Sequence, residues 1–502
     1  MREARIMRKP VLPYPEVCHS LHSSDPFAAE AKILLGFAQY NLQATTDRAQ
    51  RVHQLASTVN MDSLEARTRA AWADCLELSK ATLSHLGRLT GSAGTTTSPD
   101  DAQTWLSAAV ANQQTCRNGF LELNLASKLW SLPFTSNNVS ELLSNSLAMH
   151  KAGAASRPSG ARRLLSGGFP TWISVFDRKF LQSPTMNADV VVATDGSGNY
   201  TTISEAVAAW RNLRTGTERF VIYVKAGVYR ENVEVHMNNL MLVGDGIDKT
   251  VVTGSRNVPD GRWTTFRSAT FAAVGDGFIA RDMTFENTAG PEKRQAVALR
   301  SGSDLSIFYR CSFKGYQDTL YVHSQRQFYR ECDVYGTVDF IFGDAVVVLQ
   351  NCNIFVRRPM DNQTNTVTAQ GRIDPNQNTG ISIHNSTVTA ALDFKPVQGS
   401  FKTFLGRPWR NYSRTVFMQS NLDDLIDPAG WLEWDDQFAL CTLYYGEYEN
   451  TGVGAGTGER ISWPGYHIIT CASEAQNFTV SNFLSGDLWI PENEVPFSSG
   501  LL

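Results

Sequence analysis

Two aspartates in the carboxy-terminal half of the chain have a spacing that could bring their carboxyl groups together. Asp318 in GYQDTLY and Asp339 in GTVDFIFGD are separated by about 20 residues, the length of one short structural repeat. The interval from Gln295, in RQAVALR, to Gln317 is only one position longer. If each interval is one turn of a repetitive β-structure, the four side chains lie on neighbouring turns of the same face. The sequence therefore predicts a groove that holds two acids and two amides.

Such a set has a definite chemistry. Two close carboxyl groups do not ionise independently, because the pKa of one rises and that group keeps its proton. The ionised partner is then a nucleophile and the protonated one a general acid. Arg407, in FLGRPWR, would keep the nucleophile charged, and Trp409 could reach the same face. Glutamine amides can donate to the oxyanion of a tetrahedral intermediate. The prediction is acyl transfer at an ester, with neither a serine nucleophile nor a metal.

Each member of this set also has a purely structural interpretation. A buried aspartate in a turn can cap backbone amides and do nothing else. Glutamines can stack as ladders between the turns of a β-helix, and a tryptophan can belong to the core. The convergence of all six residues favours the catalytic interpretation.

A repeat predicts the element that positions these residues. From residue 188 onward the segments DMTF, RCSF, ECDV, NCNI, NSTV and QSNL share one pattern: polar, small or sulfur-bearing, polar, apolar. Their apolar ends are Phe285, Phe313, Val334, Ile354, Val388 and Leu422. Successive segments recur at intervals of about 20 to 34 residues, which are typical of a β-solenoid with one coil per repeat. A β-sandwich, the alternative, returns its strands every ~8 to 12 residues.

The cysteines suggest bridges rather than a zinc site, since none forms a CxxC pair. Cys311, Cys332 and Cys352 occupy the same place on three predicted coils, about 4.8 Å apart. That spacing lies within the Cα range of a disulfide, about 4.4 to 6.8 Å. We favour Cys332–Cys352, although position alone does not decide the pairing. Cys75 and Cys116 fall on successive predicted helices and are expected to be bridged, the alternative being two buried thiols.

The amino-terminal part has a different pattern. Residues 1–155 contain four amphipathic runs, which predict an antiparallel four-helix bundle. Residues 156–187 are rich in Ser, Gly and Arg and predict a linker. Arg162, Arg163, Leu164 and Leu165 form a basic and apolar segment that a protease could cut, unless the linker is only a solvated tether. Residues 188–502 form the predicted β-solenoid domain.

Bulk properties narrow the class of protein. The net charge of −4 argues against nucleic acid as a partner. The sequence has no stretch of about 18 apolar residues, so it predicts no membrane span. The first residues, MREARIMRKP, do not have the pattern of a signal peptide, so we expect either a chain that begins after one or a mis-assigned start. Six Asn-x-Ser/Thr sequons nevertheless favour a secreted glycoprotein. They begin at Asn138, Asn199, Asn362, Asn385, Asn411 and Asn477.

Five motifs resemble the signature segments of plant pectin methylesterases, in their usual order. They are GVYREN, QAVALR, GYQDTLY, DFIFGDA and LGRPW, within residues 188–495. The amino-terminal part, with YPEVCHSL at residues 14–21, is similar to a pectin methylesterase inhibitor domain. The resemblance implies a four-helix bundle followed by a right-handed parallel β-helix. It also implies a cell-wall esterase that converts pectin to pectate and methanol without a cofactor or metal.

The resemblance implies a role for each acid and amide. Asp339 would attack the methyl-ester carbonyl at C6 of galacturonate. Asp318 would donate a proton to the departing methanol and then act as base for the hydrolytic water. Gln317 and Gln295 would stabilise the oxyanion, and Gln295 would also contact substrate.

The other implied roles concern substrate and partners. Arg407 would hold the nucleophile, Trp409 would pack on a sugar ring, and Thr265 in WTTFRSATF would contact substrate. Tyr321 and Phe342 either add stacking surface or only pack within their coils. The implied partners are pectin, an inhibitor protein and a subtilisin-like processing protease, and the chain would act as a monomer.

Three competing functions give different signals. A polygalacturonase would use two carboxylates as a glycosidase, but its motifs are absent and paired glutamines suit an oxyanion better. A pectate lyase would need calcium, so methanol release without chelator sensitivity separates it from an esterase. A non-catalytic wall-binding or inhibitory protein would have a broken catalytic set, and all six positions are intact.

Overall fold

The computed structural model describes residues 12–17, 34–91, 98–131, 133–134, 138–156, 188–213, 218–490 and 495–502. The chain divides into two compact units, one helical and one built mainly from β-strands. Within these ranges, every helix is too short or too polar to cross a lipid bilayer. The predicted processing residues Arg162, Arg163, Leu164 and Leu165 lie outside the described residues.

The helical unit is a bundle of four long helices, as the sequence predicts. They are α1 (Leu34–Ser57), α2 (Ala66–Thr90), α3 (Pro99–Glu122) and α4 (Val139–Ser156), and each packs against two others in the order α1–α2–α3–α4–α1. Helix α3 begins where the sequence directs it, because Ser98 caps it. The Ser98 hydroxyl accepts from the Asp101 amide, and the Asp101 side chain accepts from the Ser98 amide. Pro99 occupies the first turn, where no N–H is needed.

A disulfide joins two of these helices. Cys75 on α2 and Cys116 on α3 are bonded, with their Cα atoms 4.6 Å apart and both side chains buried. The bond closes a segment of 41 residues. A loop of that length stabilises the folded state by about 4 kcal/mol in the chain-entropy model. The predicted Cys75–Cys116 bridge is therefore present.

The β unit consists of three parallel sheets. Sheet 1 has 11 strands: Val190–Val192, Phe220–Val224, Leu240–Gly244, Ile279–Arg281, Ser306–Tyr309, Arg326–Arg330, Val346–Gln350, Gly380–His384, Arg414–Met418, Tyr444–Tyr448 and Tyr466–Ile468. Sheet 2 has eight: Gly227–Arg230, Thr250–Gly254, Thr284–Asn287, Ser312–Lys314, Asp333–Gly336, Asn353–Val356, Thr387–Ala390 and Asn421–Leu422. Sheet 3 has seven: Val233–Val235, Phe271–Ala273, Leu299–Ser301, Leu320–Val322, Ile341–Gly343, Asn365–Gln370 and Thr403–Gly406.

The chain visits the three sheets in turn, so each circuit forms one coil of a parallel β-helix. Neighbouring strands within a sheet come from successive coils, which confirms the predicted solenoid. The six apolar residues of the sequence repeat form one continuous inward row of sheet 2, in register from Phe285 to Leu422. All six are fully buried. Burying one such side chain stabilises the fold by about 1.5–3 kcal/mol.

The first, polar position of the repeat forms the turn between sheets 1 and 2. Arg310, Glu331, Asn351, Asn385 and Gln419 have φ values of 49°, 52°, 56°, 48° and 50°. This left-handed conformation suits asparagine best and costs a residue such as arginine or glutamate more. The side-chain amide of Asn385 donates to the side-chain oxygen of Asn351 at 2.9 Å, which links the turns of two adjacent coils.

The cysteine stack is present, but the predicted Cys332–Cys352 disulfide is wrong: both residues are free thiols. Their neighbours Ser312, Asp333 and Asn353 pair in register, so the three cysteines do occupy equivalent places. Side chains at equivalent positions of parallel coils point in the same direction, so the thiols lie side by side along the axis of the coils. The Cys332 thiol lies within 3.4 Å of the Phe308 and Arg330 carbonyl oxygens, with which it can hydrogen-bond.

Shorter helices complete the unit. They are α5 (Ile203–Leu213), α6 (Thr265–Ser268), α7 (Ala472–Ala475) and α8 (Val480–Leu484). Short 3-10 turns of the β unit are Pro291–Lys293, Lys395–Ser400, Val453–Ala455, Gln476–Phe478 and Gly486–Leu488, and those of the helical unit are Met61–Ser63 and Ala126–Ser131. Val480 and Leu484 of α8 pack on the outer apolar side chains of sheet 1, including Val346 and Val348. The carboxy-terminal segment thus covers the outside of sheet 1.

Candidate active site

The two aspartates lie at equivalent turns of adjacent coils. Each is two residues ahead of a sheet 3 strand, and these strands pair with Leu320 opposite Ile341. The Asp318 amide donates to the Val338 carbonyl at 3.1 Å, directly before Asp339. Because neighbouring coils are about 4.8 Å apart, the two carboxyl groups belong to one site. Both residues are buried and both have positive φ, 63° for Asp318 and 51° for Asp339. The same left-handed conformation recurs at other turns of the coils, so it belongs to the repeat and does not by itself mark a functional site.

Both carboxylate oxygens of Asp339 are held by donors. Arg407 binds them as a fork, with Nε 2.8 Å from Oδ1 and Nη2 2.6 Å from Oδ2. The Thr366 hydroxyl donates to Oδ1 at 2.6 Å, and the Asp339 amide donates back to that hydroxyl at 2.8 Å. Charged hydrogen bonds of this kind fix the orientation of the carboxylate. A metal cation could bind the carboxylate of Asp339 only by displacing Arg407, because Arg407 already contacts both of its oxygens.

The pKa of Arg407 depends on the groups that surround it. Burial works against its charge, but the carboxylates of Asp339 and, more weakly, Asp318 outweigh that effect, so the pKa of Arg407 is raised above its usual value. The guanidinium carbon also lies 4.3 Å from the ring centroid of Trp434. A cation between a carboxylate and an aromatic face is held in position and shielded from water.

The glutamines lie in the loops that precede two neighbouring strands of sheet 3. Gln317 directly precedes Asp318 and is half-buried, as is Gln295. The Ala296 amide donates to the Gln317 carbonyl at 3.3 Å, so the two glutamine-bearing segments run side by side. The interval between the glutamines is one position longer than that between the aspartates, which displaces Gln295 by one position along its coil.

Aromatic rings line the outer face of sheet 3 next to the acids. Tyr321 stacks on Phe342 with ring centroids 4.3 Å apart and planes 14° from parallel. The edge of Trp409 meets Phe342 at 5.9 Å. A Cβ at Gly371 would come within 2.9 Å of the Trp409 ring, so glycine is needed there for the indole to lie against the backbone. Tyr321 and Phe342 are both buried and pack on each other, and Phe342 also contacts Trp409.

Thr265 lies at the start of α6, beside this face. The side chain of Thr264 caps the helix by accepting from the Arg267 amide, and Thr265 is buried. The next residue, Phe266, lies over the guanidinium of Arg300, with 3.5 Å between ring centroid and Cζ. Arg300 is the cross-strand neighbour of Tyr321. The structure therefore brings α6 to the edge of the aromatic row.

Two residues of the site are absent from the sequence-based prediction. Thr366 is 27 residues beyond Asp339 and occupies the equivalent position of the next coil, within the strand Asn365–Gln370, since Ile341 pairs with Thr368. This interval differs from the one between the two aspartates, so spacing alone would not have found it. Trp434, with 38% of its area exposed, lies in a loop outside the repeat, and the residues around it do not predict its contact with Arg407.

Comparison with known proteins gives a consistent result. A family model described as "Pectinesterase" matches residues 189–487, and one described as "Plant invertase/pectin methylesterase inhibitor" matches residues 9–149. Pectinesterase 2 of Citrus sinensis is 55% identical over 489 residues, covering 97% of this chain and 93% of that protein. A probable pectinesterase/pectinesterase inhibitor of Arabidopsis thaliana is 56% identical over 493 residues, again covering 97% and 93%. The solved pectin methylesterase from carrot is 59% identical with a TM-score of 0.62, and the match covers 64% of this chain and all of that one.

Proposed function

Because this chain belongs to the pectinesterase family, we propose that Asp339, Asp318 and Gln317 together hydrolyse the C6 methyl esters of homogalacturonan. One observation carries the assignment of roles: the fork of Arg407 on Asp339, one coil away from Asp318. This arrangement supports an ionised nucleophile next to an acid. The reaction converts methylated pectin to pectate and methanol.

The proposed mechanism uses the donors around Asp339 and the position of Asp318 one coil away. Asp339 attacks the ester carbonyl carbon and forms an acyl-enzyme, while Arg407 and Thr366 hold its carboxylate in place. The amides of Gln317 and Gln295 donate to the oxyanion as negative charge develops there. Asp318 protonates the departing methoxide and then takes a proton from the water that releases the free galacturonate. Two carboxyl groups thus divide the work of nucleophile and acid–base, with no metal or cofactor.

Substrate binding is assigned to residues around this pair. Thr265, Gln295, Arg407 and Trp409 contact the polysaccharide, with Trp409 packing on a sugar ring. Trp409 is supported from behind by Gly371 and Phe342, which keeps its indole in a fixed position.

The remaining assignments concern the whole chain. We assign residues 1–155 to an inhibitor-like domain, 156–187 to a linker and 188–502 to the esterase. The amino-terminal domain is autoinhibitory, and a subtilisin-like protease removes it at Arg162, Arg163, Leu164 and Leu165. The protein is a secreted glycoprotein of the cell wall and acts as a monomer.

The decisive experiment measures methanol release from methylated pectin by the full chain and by residues 188–502, with and without a chelator. An esterase releases methanol in both conditions and generates neither new reducing ends nor unsaturated products. Reducing ends without methanol would indicate a glycosidase, and chelator-sensitive unsaturated products would indicate a lyase. Either result would overturn the proposal.

A further inference from the structure

The loop of residues 315–319 carries both Gln317 and Asp318, so its conformation decides where the proposed acid and oxyanion donor lie. It connects the sheet 2 strand Ser312–Lys314 to the sheet 3 strand Leu320–Val322. On one side the backbone of the next coil fixes it. The Thr337 amide donates to the Tyr316 carbonyl at 2.9 Å, and the Thr319 hydroxyl donates to the Tyr335 carbonyl at 2.9 Å.

Arg357, from two coils further along, holds the same loop. Lys314 pairs with Tyr335 and Tyr335 with Phe355, so Tyr316 and Arg357 occupy equivalent positions two coils apart. The guanidinium carbon of Arg357 lies 3.9 Å from the Tyr316 ring centroid. Its Nη2 donates to the Tyr316 hydroxyl at 2.7 Å, and its Nη1 donates to the Gly315 carbonyl at 3.1 Å.

Arg357 is also tethered at its far side. Its Nε donates to the Asp393 carboxylate at 3.1 Å, and its own amide donates to the Gly336 carbonyl at 2.7 Å. The planar fork therefore makes four kinds of contact at once: an aromatic face, a hydroxyl, a carbonyl and a carboxylate. Lysine cannot reproduce this set, because it lacks the planar fork.

We propose that Arg357 is a positioning residue that sets the location of Gln317 and Asp318 by clamping Tyr316 and Gly315. The inference rests on the proposed roles of those two residues. Arg357 contacts neither Gln317 nor Asp318 in any hydrogen bond given above, so it acts on them through the loop backbone. A misplacement of about 1 Å in a reacting group can cost about a hundredfold in rate. Loss of the clamp should therefore lower kcat more than it changes KM.

The test compares three variants of the full chain with wild type: Arg357→Met, Arg357→Lys and Tyr316→Phe. Arg357→Met should lower kcat for methanol release by about 10-fold to 100-fold while KM stays within about twofold. Arg357→Lys should fall between it and wild type. Tyr316→Phe keeps the ring and loses only the hydroxyl, so kcat should fall by about two- to tenfold. Arg358→Met is the matched control, since Arg358 is exposed and pairs only with the exposed Asp361 at 3.5 Å among the contacts described.

Two further readouts separate positioning from general stability. The thermal midpoint of each variant should stay close to that of wild type, and the pH profile of kcat should shift because the acid sits differently. Wild-type kcat in both Arg357→Met and Tyr316→Phe would overturn the proposal. So would a kcat loss in Arg357→Met that tracks a fallen midpoint and is absent from Tyr316→Phe. Asp318→Asn with wild-type kcat would instead refute the role of Asp318, which is a different failure.

Discussion

At the scale of single residues, the site depends on how the side chain of Asp339 is held inside a buried turn. Arg407 and Thr366 supply three hydrogen bonds to its two oxygens, and Trp434 covers the arginine. These four residues come from different coils and one loop, so the placement of the proposed nucleophile is a property of the assembled solenoid.

Replacing the proposed nucleophile should abolish catalysis without unfolding the chain. Asp339→Asn keeps the shape and the hydrogen bond from Thr366 but removes the nucleophilic charge, so methanol release should fall by at least about a thousandfold. The measurement is kcat together with the thermal midpoint. Asp361→Asn at a 90% exposed side chain is the control. Wild-type turnover by Asp339→Asn would remove this residue from the mechanism.

Thr366 offers a subtler change. Thr366→Val preserves the shape and deletes the hydroxyl that donates to Asp339 at 2.6 Å. A hydrogen bond to a charged group is worth about 1.5–3 kcal/mol, so kcat should drop by roughly 10-fold to 100-fold. Thr389→Val is a matched control, because its hydroxyl donates to Asp423 at 2.7 Å away from the acid pair. Equal losses in both variants would show that the effect is not specific to the site.

At the scale of elements, the coil repeat explains both the inward row and the state of the cysteines. Equivalent positions of successive coils face the same way, which stacks Phe313 on Phe285 with planes 8° apart. The same parallel arrangement places the thiols of Cys332 and Cys352 side by side on adjacent coils, with no bond between them. Stacking therefore favours aromatic and aliphatic contact along the axis, and it does not by itself favour a covalent bridge.

Thiol labelling checks this difference between the two units. Alkylation of the unfolded, unreduced protein should label Cys332 and Cys352, whereas Cys75 and Cys116 should be labelled only after reduction. The physical reason is that only the second pair is already bonded. Peptide mass analysis distinguishes the cases. Protection of Cys332 and Cys352 before reduction would contradict the free-thiol state.

Asp333 allows a test of burial at the outer face of sheet 2. Burial is the main cause of the raised pKa of this carboxyl, opposed by the Asn353 amide and by Lys314. A pKa raised in the folded state means that ionisation weakens the fold, so this cost is absent below the unfolded pKa of about 4 and grows as pH rises through the folded value. Asp333→Asn should therefore raise the unfolding free energy at pH 7 and leave it unchanged near pH 3. Denaturant unfolding at both pH values measures the unfolding free energy of the variant and of wild type. A variant less stable than wild type at pH 7 would contradict this expectation.

At the scale of the whole molecule, the chain contains two units that are stabilised by different interactions. The helical unit is held by a capped bundle and one disulfide, and the β unit by coil-to-coil stacking. The family models that match them correspond to an inhibitor and an esterase. The proposed autoinhibition is a consequence of that combination.

Cleavage in the linker should therefore change activity. If the amino-terminal domain inhibits the esterase, cutting after Leu165 should raise the rate of methanol release from methylated pectin. The measurement compares intact and cut protein at equal concentration, with the products then separated. Equal rates before and after cleavage would count against autoinhibition.

The sequence by itself determined the solenoid, the inward row and the convergence of the acids and amides. Each of these depends only on periodic spacing, and a residue one coil away in sequence is a neighbour in space. The capped start of α3 and the Cys75–Cys116 pairing were likewise predictable from local pattern. Only the tertiary structure decided that Arg407, which the sequence already suggested, binds both oxygens of Asp339 as a fork and that Thr366 adds a third hydrogen bond, because spacing does not specify side-chain geometry. The tertiary structure also decided that Cys332 and Cys352 stay free thiols and that Trp434 contacts Arg407, since bond formation and loop packing depend on the directions of side chains.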